Sequence, residues 1–130
     1  MDNFQKEKTS YSVWLNMRMA FWGKAFVHPM ESKEYKQIYF GTELDAKLFS
    51  AIMNSSLFYF VWECLSDCWH ITSKELEFFK IDFSQVPQEL KLKIASTYDC
   101  FERALEKSKV YIGSVQTSYI YQHKLHKDLL

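Results

Sequence analysis

The chain has 130 residues, 48% of them hydrophobic and 18% aromatic, with only three glycines and two prolines. This composition excludes a disordered or low-complexity chain, and the length suits one domain with a single core. Sixteen Lys and Arg residues balance sixteen Asp and Glu residues, which excludes a strongly basic domain that captures nucleic acid by charge alone.

Charge is unevenly distributed along the chain. Residues 1–40 contain six basic and four acidic residues, residues 41–83 contain three and seven, and residues 84–130 contain seven and five. Positive charge therefore lies towards both ends, on either side of an acidic middle. This distribution permits a modest contact with DNA but does not require one.

The sequence predicts neither a secretory signal nor a membrane span. Met1–Ser10 is polar and lacks the apolar core of a signal peptide. The longest apolar run, around Leu57–Val61, is far too short to cross a bilayer. We therefore expect a cytoplasmic protein without a membrane partner.

Aromatic and β-branched residues are frequent in residues 11–40 and predict β-structure. Gly23 and His28-Pro29 interrupt this pattern, and Met30–Lys36 is predicted to be a polar loop. Ile38–Phe40 is predicted to be a short buried strand that ends at the following glycine.

Two consecutive helices are predicted next. Thr42 is a suitable N-cap for a helix whose apolar residues recur at a spacing of four over residues 44–52. The polar residues that follow predict a break, at which Asn54 or Ser55 caps a second helix carrying the apolar residues of Leu57–Leu65.

The last part of the chain is predicted to contain extended structure, a long helix and a hairpin. Trp69–Phe83 has extended character, and its second half, which alternates only partly, suits a strand or strand-like segment buried on both faces. Apolar residues recur at spacings of three and four from Val86 to Leu105, which predicts an amphipathic helix with Pro87 in its first turn. Residues 110–121 predict a small terminal hairpin, followed by a polar tail.

The predicted fold class is therefore α+β: a small mixed sheet, two consecutive central helices, one long amphipathic helix and a C-terminal hairpin. Residues 1–130 are expected to form a single domain with its core in residues 11–121.

No catalytic set of residues is recognisable in the sequence. Three glycines are too few for a phosphate-binding loop, and neither Gly-x-Ser-x-Gly nor His-Glu-x-x-His occurs. Cys100 is expected to be a buried structural thiol, and Glu102/Glu106 a solvated acidic face. Cys64 and Cys68 lack a second Cys or His pair that would complete a zinc pattern. We therefore expect neither an enzyme nor a metal site.

Cations lie between aromatic residues in the first β region. Arg18 and Lys24 flank Trp22, and Lys33 and Lys36 follow in the polar loop. Such cations can contact phosphates, and a guanidinium can donate to guanine in the major groove. From composition alone, tryptophans in a core beneath solvated surface cations are the favoured explanation of this pattern.

The stretch Leu48–Asp82 resembles the C-terminal specificity segment of TaqI-like adenine-N6 DNA methyltransferases and of fused type II restriction-modification enzymes. The resemblance extends over roughly residues 11–121, and it departs from the family at Cys68 and Lys80. The segments that carry it are Met53-Asn54-Ser55, Leu57-Phe58-Tyr59-Phe60, Ser66-Asp67-Cys68-Trp69-His70-Ile71 and Phe79-Lys80-Ile81.

The resemblance implies a target-recognition domain that reads double-stranded DNA beside the methyltransferase catalytic domain of a longer parent chain. Because the Asn-Pro-Pro-Tyr motif and the glycine-rich methyl-donor loop are absent, no cofactor is expected here, and S-adenosylmethionine is expected in that catalytic domain. The residues expected to contact DNA are Arg18, Lys24, Lys33, Lys36, His70, Thr72, Ser73 and Lys74.

A second hypothesis is a protein-interaction or scaffold domain, in which exposed aromatic residues dock another subunit. Salt dependence distinguishes the two, since DNA affinity falls steeply with ionic strength and an aromatic docking face responds little.

Overall fold

The computed structural model describes residues 4, 7–18, 24–66, 70–71, 76, 81–111 and 119–120. Its elements in chain order are β1 (Tyr11–Asn16), β2 (Ala25–Phe26), β3 (Tyr35–Phe40), α1 (Glu43–Asn54), α2 (Ser56–Leu65), a 3₁₀ turn (Phe83–Gln85), α3 (Gln88–Ser108), β4 (Val110–Tyr111) and β5 (Tyr119–Ile120). The fold is α+β, as the sequence predicts.

The three-stranded sheet has the order β2-β1-β3, and both strand pairs are antiparallel. The prediction of a mixed sheet is therefore wrong for the described strands. Side chains alternate across the sheet, so that Val13 and Leu15 of β1 lie on the same face as Ile38 and Phe40 of β3. This face is buried against α1 and α2 and forms the main core.

Two polar side chains cap the central helices. Thr42 accepts a hydrogen bond from the backbone N–H of Asp45 at 3.2 Å and begins α1. Ser55 is extended, donates its N–H to the carbonyl of Ile52, and accepts from the N–H of Phe58. One serine thus ends α1 and begins α2, which confirms the predicted break.

Asn54, the last residue of α1, is buried and hydrogen-bonds to β2. Its Oδ1 accepts from the N–H of Ala25 at 3.3 Å, and its Nδ2 donates to the carbonyls of Ala25 at 2.7 Å and Ser50 at 2.8 Å. The side-chain amide therefore pairs with β2 much as a neighbouring strand would, so that buried backbone groups of this two-residue strand have partners.

The long helix α3 packs against α1 and completes a second apolar cluster. Tyr98, Phe101 and Leu105 are buried together with Phe26 of β2. The Tyr98 hydroxyl accepts from the N–H of Val27 at 3.2 Å, and this hydrogen bond connects α3 to the end of β2.

Two expectations about α3 are wrong. Cys100 is exposed, because it lies beside the buried stripe of the helix and not within it. Glu102 and Glu106 are not simply a solvated face, since both contact the His28 ring, Glu102 at Nδ1 and Glu106 at Nε2. His28 follows β2 and ties this segment to α3.

The prediction of extended structure over Trp69–Phe83 holds only at its start, where His70 forms an isolated antiparallel bridge with Arg18. The second half is not a strand where the structure describes it. The backbone at Leu76 is helical, and Phe83 begins the 3₁₀ turn. Asp82 caps this turn by accepting from the N–H of Ser84 at 3.0 Å. This segment is rich in apolar residues but does not alternate strictly between apolar and polar ones. Such a pattern fits a buried strand and short helical turns equally.

The strands β4 and β5 pair antiparallel, with Val110 opposite Ile120 and Tyr111 opposite Tyr119. The terminal hairpin is therefore confirmed, and residues 112–118, which connect its two strands, lie outside the described residues.

Among the described helices, none alone has the length and apolar character needed to cross a membrane. Together α1 and α2 meet those two criteria, although they are bent by 61° at their junction.

Candidate nucleic-acid interface

Five of the eight predicted DNA-contacting residues are described, namely Arg18, Lys24, Lys33, Lys36 and His70. We refer to these five as the sheet-end cluster. The other three, Thr72, Ser73 and Lys74, lie outside the described residues.

Backbone pairing brings the members of the sheet-end cluster to one end of the sheet. Beyond the last residue pairs of β1, the N–H of Asn16 donates to the carbonyl of Lys24 at 2.9 Å, and the N–H of Met17 donates to the carbonyl of Glu34 at 3.0 Å. Arg18 forms an isolated antiparallel bridge with His70. Three chain segments that are distant in sequence therefore converge at this end.

The segment that carries His70 is hydrogen-bonded to α2. The indole Nε1 of Trp62, which is buried, donates to the carbonyl of His70 at 3.0 Å. The N–H of Ile71 donates to the carbonyl of Met17 at 2.9 Å, and the Ile71 side chain is buried in the main core. The backbone of His70 is thus fixed while its side chain is exposed.

Arg18 is paired with Glu34 at the same end of the sheet. The Nη1 of Arg18 lies 3.0 Å from Oε1 of Glu34, and the two side chains are 57% and 45% exposed. The N–H of Arg18 donates to Oδ1 of Asn16 at 2.8 Å. An ion pair this exposed contributes little to stability. Its relevance to the site is that it places charged groups at the surface, where a ligand can reach them.

The lysines of the sheet-end cluster differ in their surroundings. Burial lowers the pKa of the Lys24 ammonium, and the nearby Glu34 carboxylate partly opposes this change. Lys33 and Lys36 are exposed, and neither has an ion pair within the described part of the chain. Lys33 and Lys36 are therefore the members best suited to contact a phosphate, and Lys24 is the least suited.

The sequence does not predict the part that Asn16, Glu34 and Tyr35 play at this site. Glu34 lies between Lys33 and Lys36 in the sequence, and this position is the only sign in the sequence that an acidic group belongs to the site. Its pairing with Arg18 depends on the strand register, and the sequence alone does not give that register.

Tyr35 is partly buried at this end of the sheet, and its burial can be tested by the stability of the protein at alkaline pH. Burial raises the pKa of the Tyr35 hydroxyl from 10.0 to about 12, while a hydrogen bond from Asn16 opposes the increase and the Glu34 charge adds to it. A raised pKa means that the folded protein holds this proton to a higher pH than the unfolded chain does. The resulting stability is complete below pH 10 and is lost as the pH rises towards 12.

We expect Tyr35→Phe to reduce the alkaline loss of stability between pH 10 and 12, by roughly 2–3 kcal/mol at most. Urea unfolding measured at intervals of half a pH unit tests this. Tyr11→Phe, which alters an exposed tyrosine at the opposite end of β1, serves as the control. An alkaline profile of Tyr35→Phe that coincides with the wild type would contradict the assignment.

Among the described residues, no group of three or more His, Cys, Asp or Glu side chains is arranged to hold a metal ion. Comparisons of the chain with protein-family models, curated proteins and solved structures find no match. The resemblance to TaqI-like methyltransferases therefore stays a prediction.

Proposed function

We propose that the chain is a sequence-specific reader of double-stranded DNA that works beside a methyltransferase catalytic domain. The observation that carries this proposal is the convergence of Arg18, Lys33, Lys36 and His70 at one end of the sheet. These residues are exposed and come from three chain segments, which backbone hydrogen bonds hold together. A rigid scaffold that presents cations and polar groups is well suited to contact phosphates and base edges.

The balanced charge of the chain supports a shared role in binding. Sixteen basic and sixteen acidic residues provide no general attraction to DNA, so a catalytic domain would supply most of the electrostatic capture. The sheet-end cluster would then position the duplex and distinguish its bases. Methyl transfer and its S-adenosylmethionine belong to the catalytic domain in this proposal, and no cofactor is assigned to the chain itself.

A salt titration of duplex binding tests the proposed role of the exposed lysines. We expect the double variant Lys33→Ala/Lys36→Ala to bind duplex DNA more weakly. Its plot of log affinity against log salt should be shallower by about two, since each phosphate contact contributes about one to the slope. Fluorescence anisotropy with a labelled duplex between 20 and 200 mM salt measures both quantities.

The matched control is Lys8→Ala/Lys93→Ala. Lys8 precedes β1 and Lys93 lies near the start of α3, where Lys91 contacts Asp45 at the N-terminal end of α1. Both lysines therefore lie towards the end of the sheet opposite the cluster. If the two double variants lose equal affinity and slope, binding is a general charge effect and the proposed interface is wrong.

One observation favours the second candidate function, a protein-interaction domain. The outer side of α2 exposes Leu57 and Phe60, which are 64% and 63% exposed, and Cys64 lies one turn further along the same side. An apolar stripe of this kind suits contact with another protein. Under this alternative, Phe60→Glu would abolish partner binding, and 200 mM salt would affect that binding little.

A further inference from the structure

The Arg18–Glu34 pair presents both hydrogen-bond donors and hydrogen-bond acceptors at the end of the sheet. The described contact joins one guanidinium nitrogen, Nη1, to one carboxylate oxygen, Oε1, at 3.0 Å. A guanidinium has five N–H donors and a carboxylate has about four acceptor positions. Because the two side chains are about half exposed, the remaining donors and acceptors lie side by side at the surface.

The backbones on both sides of the pair are fixed. The N–H of Arg18 donates to Asn16 Oδ1, and its backbone bridges to His70. The carbonyl of Glu34 accepts from Met17, and its N–H donates to Ser32 Oγ at 3.3 Å. Since the ion pair also restrains the two side chains, ordering them against a ligand costs less entropy than ordering two free side chains.

We propose that Arg18 and Glu34 together read a G·C base pair from the major groove, with Arg18 donating to guanine and Glu34 accepting from cytosine. This inference rests on the proposed function. A G·C pair presents the acceptors N7 and O6 of guanine beside the N4 amino donor of cytosine. Adjacent donors and acceptors on the protein match this order, so that N7 and O6 of guanine and N4 of cytosine each have a partner.

An A·T pair fits the same two side chains poorly. The N6 amino group of adenine would face the guanidinium, donor against donor. The O4 oxygen of thymine would face the Glu34 carboxylate, acceptor against acceptor. Each mismatch leaves a desolvated polar group without a partner, and this cost is what gives a polar site its selectivity.

Selection from a library of random duplexes by the full chain at 20 mM salt tests this inference. We expect the selected sites to share one fixed G·C pair, and its replacement by A·T to weaken binding about ten- to a hundredfold. In Glu34→Gln and Arg18→Lys, this discrimination should fall below about threefold. Arg18→Lys retains the positive charge but loses the planar fork that binds guanine through two hydrogen bonds.

Glu31→Gln is the matched control, because it removes the same charge from an exposed residue of the same loop. It should retain the wild-type discrimination. If both site variants select the same G·C pair as strongly as the wild type, the inference fails and the DNA-reading function stands. Failure of the chain to enrich any duplex sequence at 20 mM salt, where phosphate contacts bind more tightly than at physiological salt, overturns the proposed function and this inference together.

Discussion

Substitution of Asn54 by alanine should lower the free energy of unfolding by about 2–4 kcal/mol, an unusually large effect for a polar residue in a helix. The amide of Asn54 makes three hydrogen bonds in a buried site, two to the backbone of Ala25 and one to the carbonyl of Ser50. Its removal leaves the N–H of Ala25, a fully buried residue, without that acceptor. Urea unfolding followed by far-UV circular dichroism measures the loss.

Ser96→Ala is the control for this prediction, since Ser96 is exposed on α3 and alanine suits a helix interior. It should leave the free energy of unfolding within about 0.5 kcal/mol of the wild type. A loss below about 1 kcal/mol for Asn54→Ala would mean that β2 does not depend on this amide. β2 would then be held by β1 and the packing of Phe26 alone.

The parts of the fold that the sequence predicts well are those fixed by local interactions. The sequence predicts caps at Thr42 and at Asn54 or Ser55, because a short polar side chain near a helix start accepts a backbone N–H within three residues. Thr42 and Ser55 are the caps in the structure. The buried residues Tyr98, Phe101 and Leu105 of α3 follow from their spacing of three and four. Such signals lie within one or two helical turns, so they need no knowledge of the tertiary fold.

The parts that the sequence did not predict depend on contacts between distant residues. Asn54 and Ala25 are 29 positions apart, and His28 and Glu102 are 74 positions apart. The sequence predicts Cys100 on the apolar side of α3, beside Phe101, yet a helix turns about 100° per residue and places Cys100 at the surface. The spacing of the buried residues Tyr98, Phe101 and Leu105 leaves Cys100 outside the buried stripe.

In the candidate site, too, some features follow from the local sequence and others depend on tertiary contacts. Cations among aromatic residues, together with the family resemblance, predict the candidate DNA contacts. The structure brings two of these residues, Arg18 and His70, together through a backbone bridge. The sequence did not separate Lys24, which is partly buried, from Lys33 and Lys36, which are exposed. Burial depends on which segments pack above a residue, and composition does not contain that information.

Trp62 links the stability of the core to the position of His70, so its substitution should have the second large effect. Trp62→Ala removes a large buried side chain and should lower the free energy of unfolding by about 3–5 kcal/mol. Phe60→Ala on the same helix is the matched control, because Phe60 is mostly exposed and its loss should cost less than about 1 kcal/mol. Guanidinium unfolding of the three proteins measures the difference.

Trp62→Phe separates the hydrogen bond from the packing. Phenylalanine retains most of the apolar contact but lacks the indole N–H that donates to the carbonyl of His70, which should cost about 1–3 kcal/mol. Because Ile71 follows His70 directly and donates its N–H to Met17, loosening of this segment should accelerate exchange of the Ile71 amide with deuterium. In the contrary outcome, Trp62→Phe destabilises the protein, but the Ile71 amide exchanges no faster than the lower global stability of the variant predicts. The indole then stabilises the core without holding the His70 segment. His70 is then positioned by its bridge to Arg18.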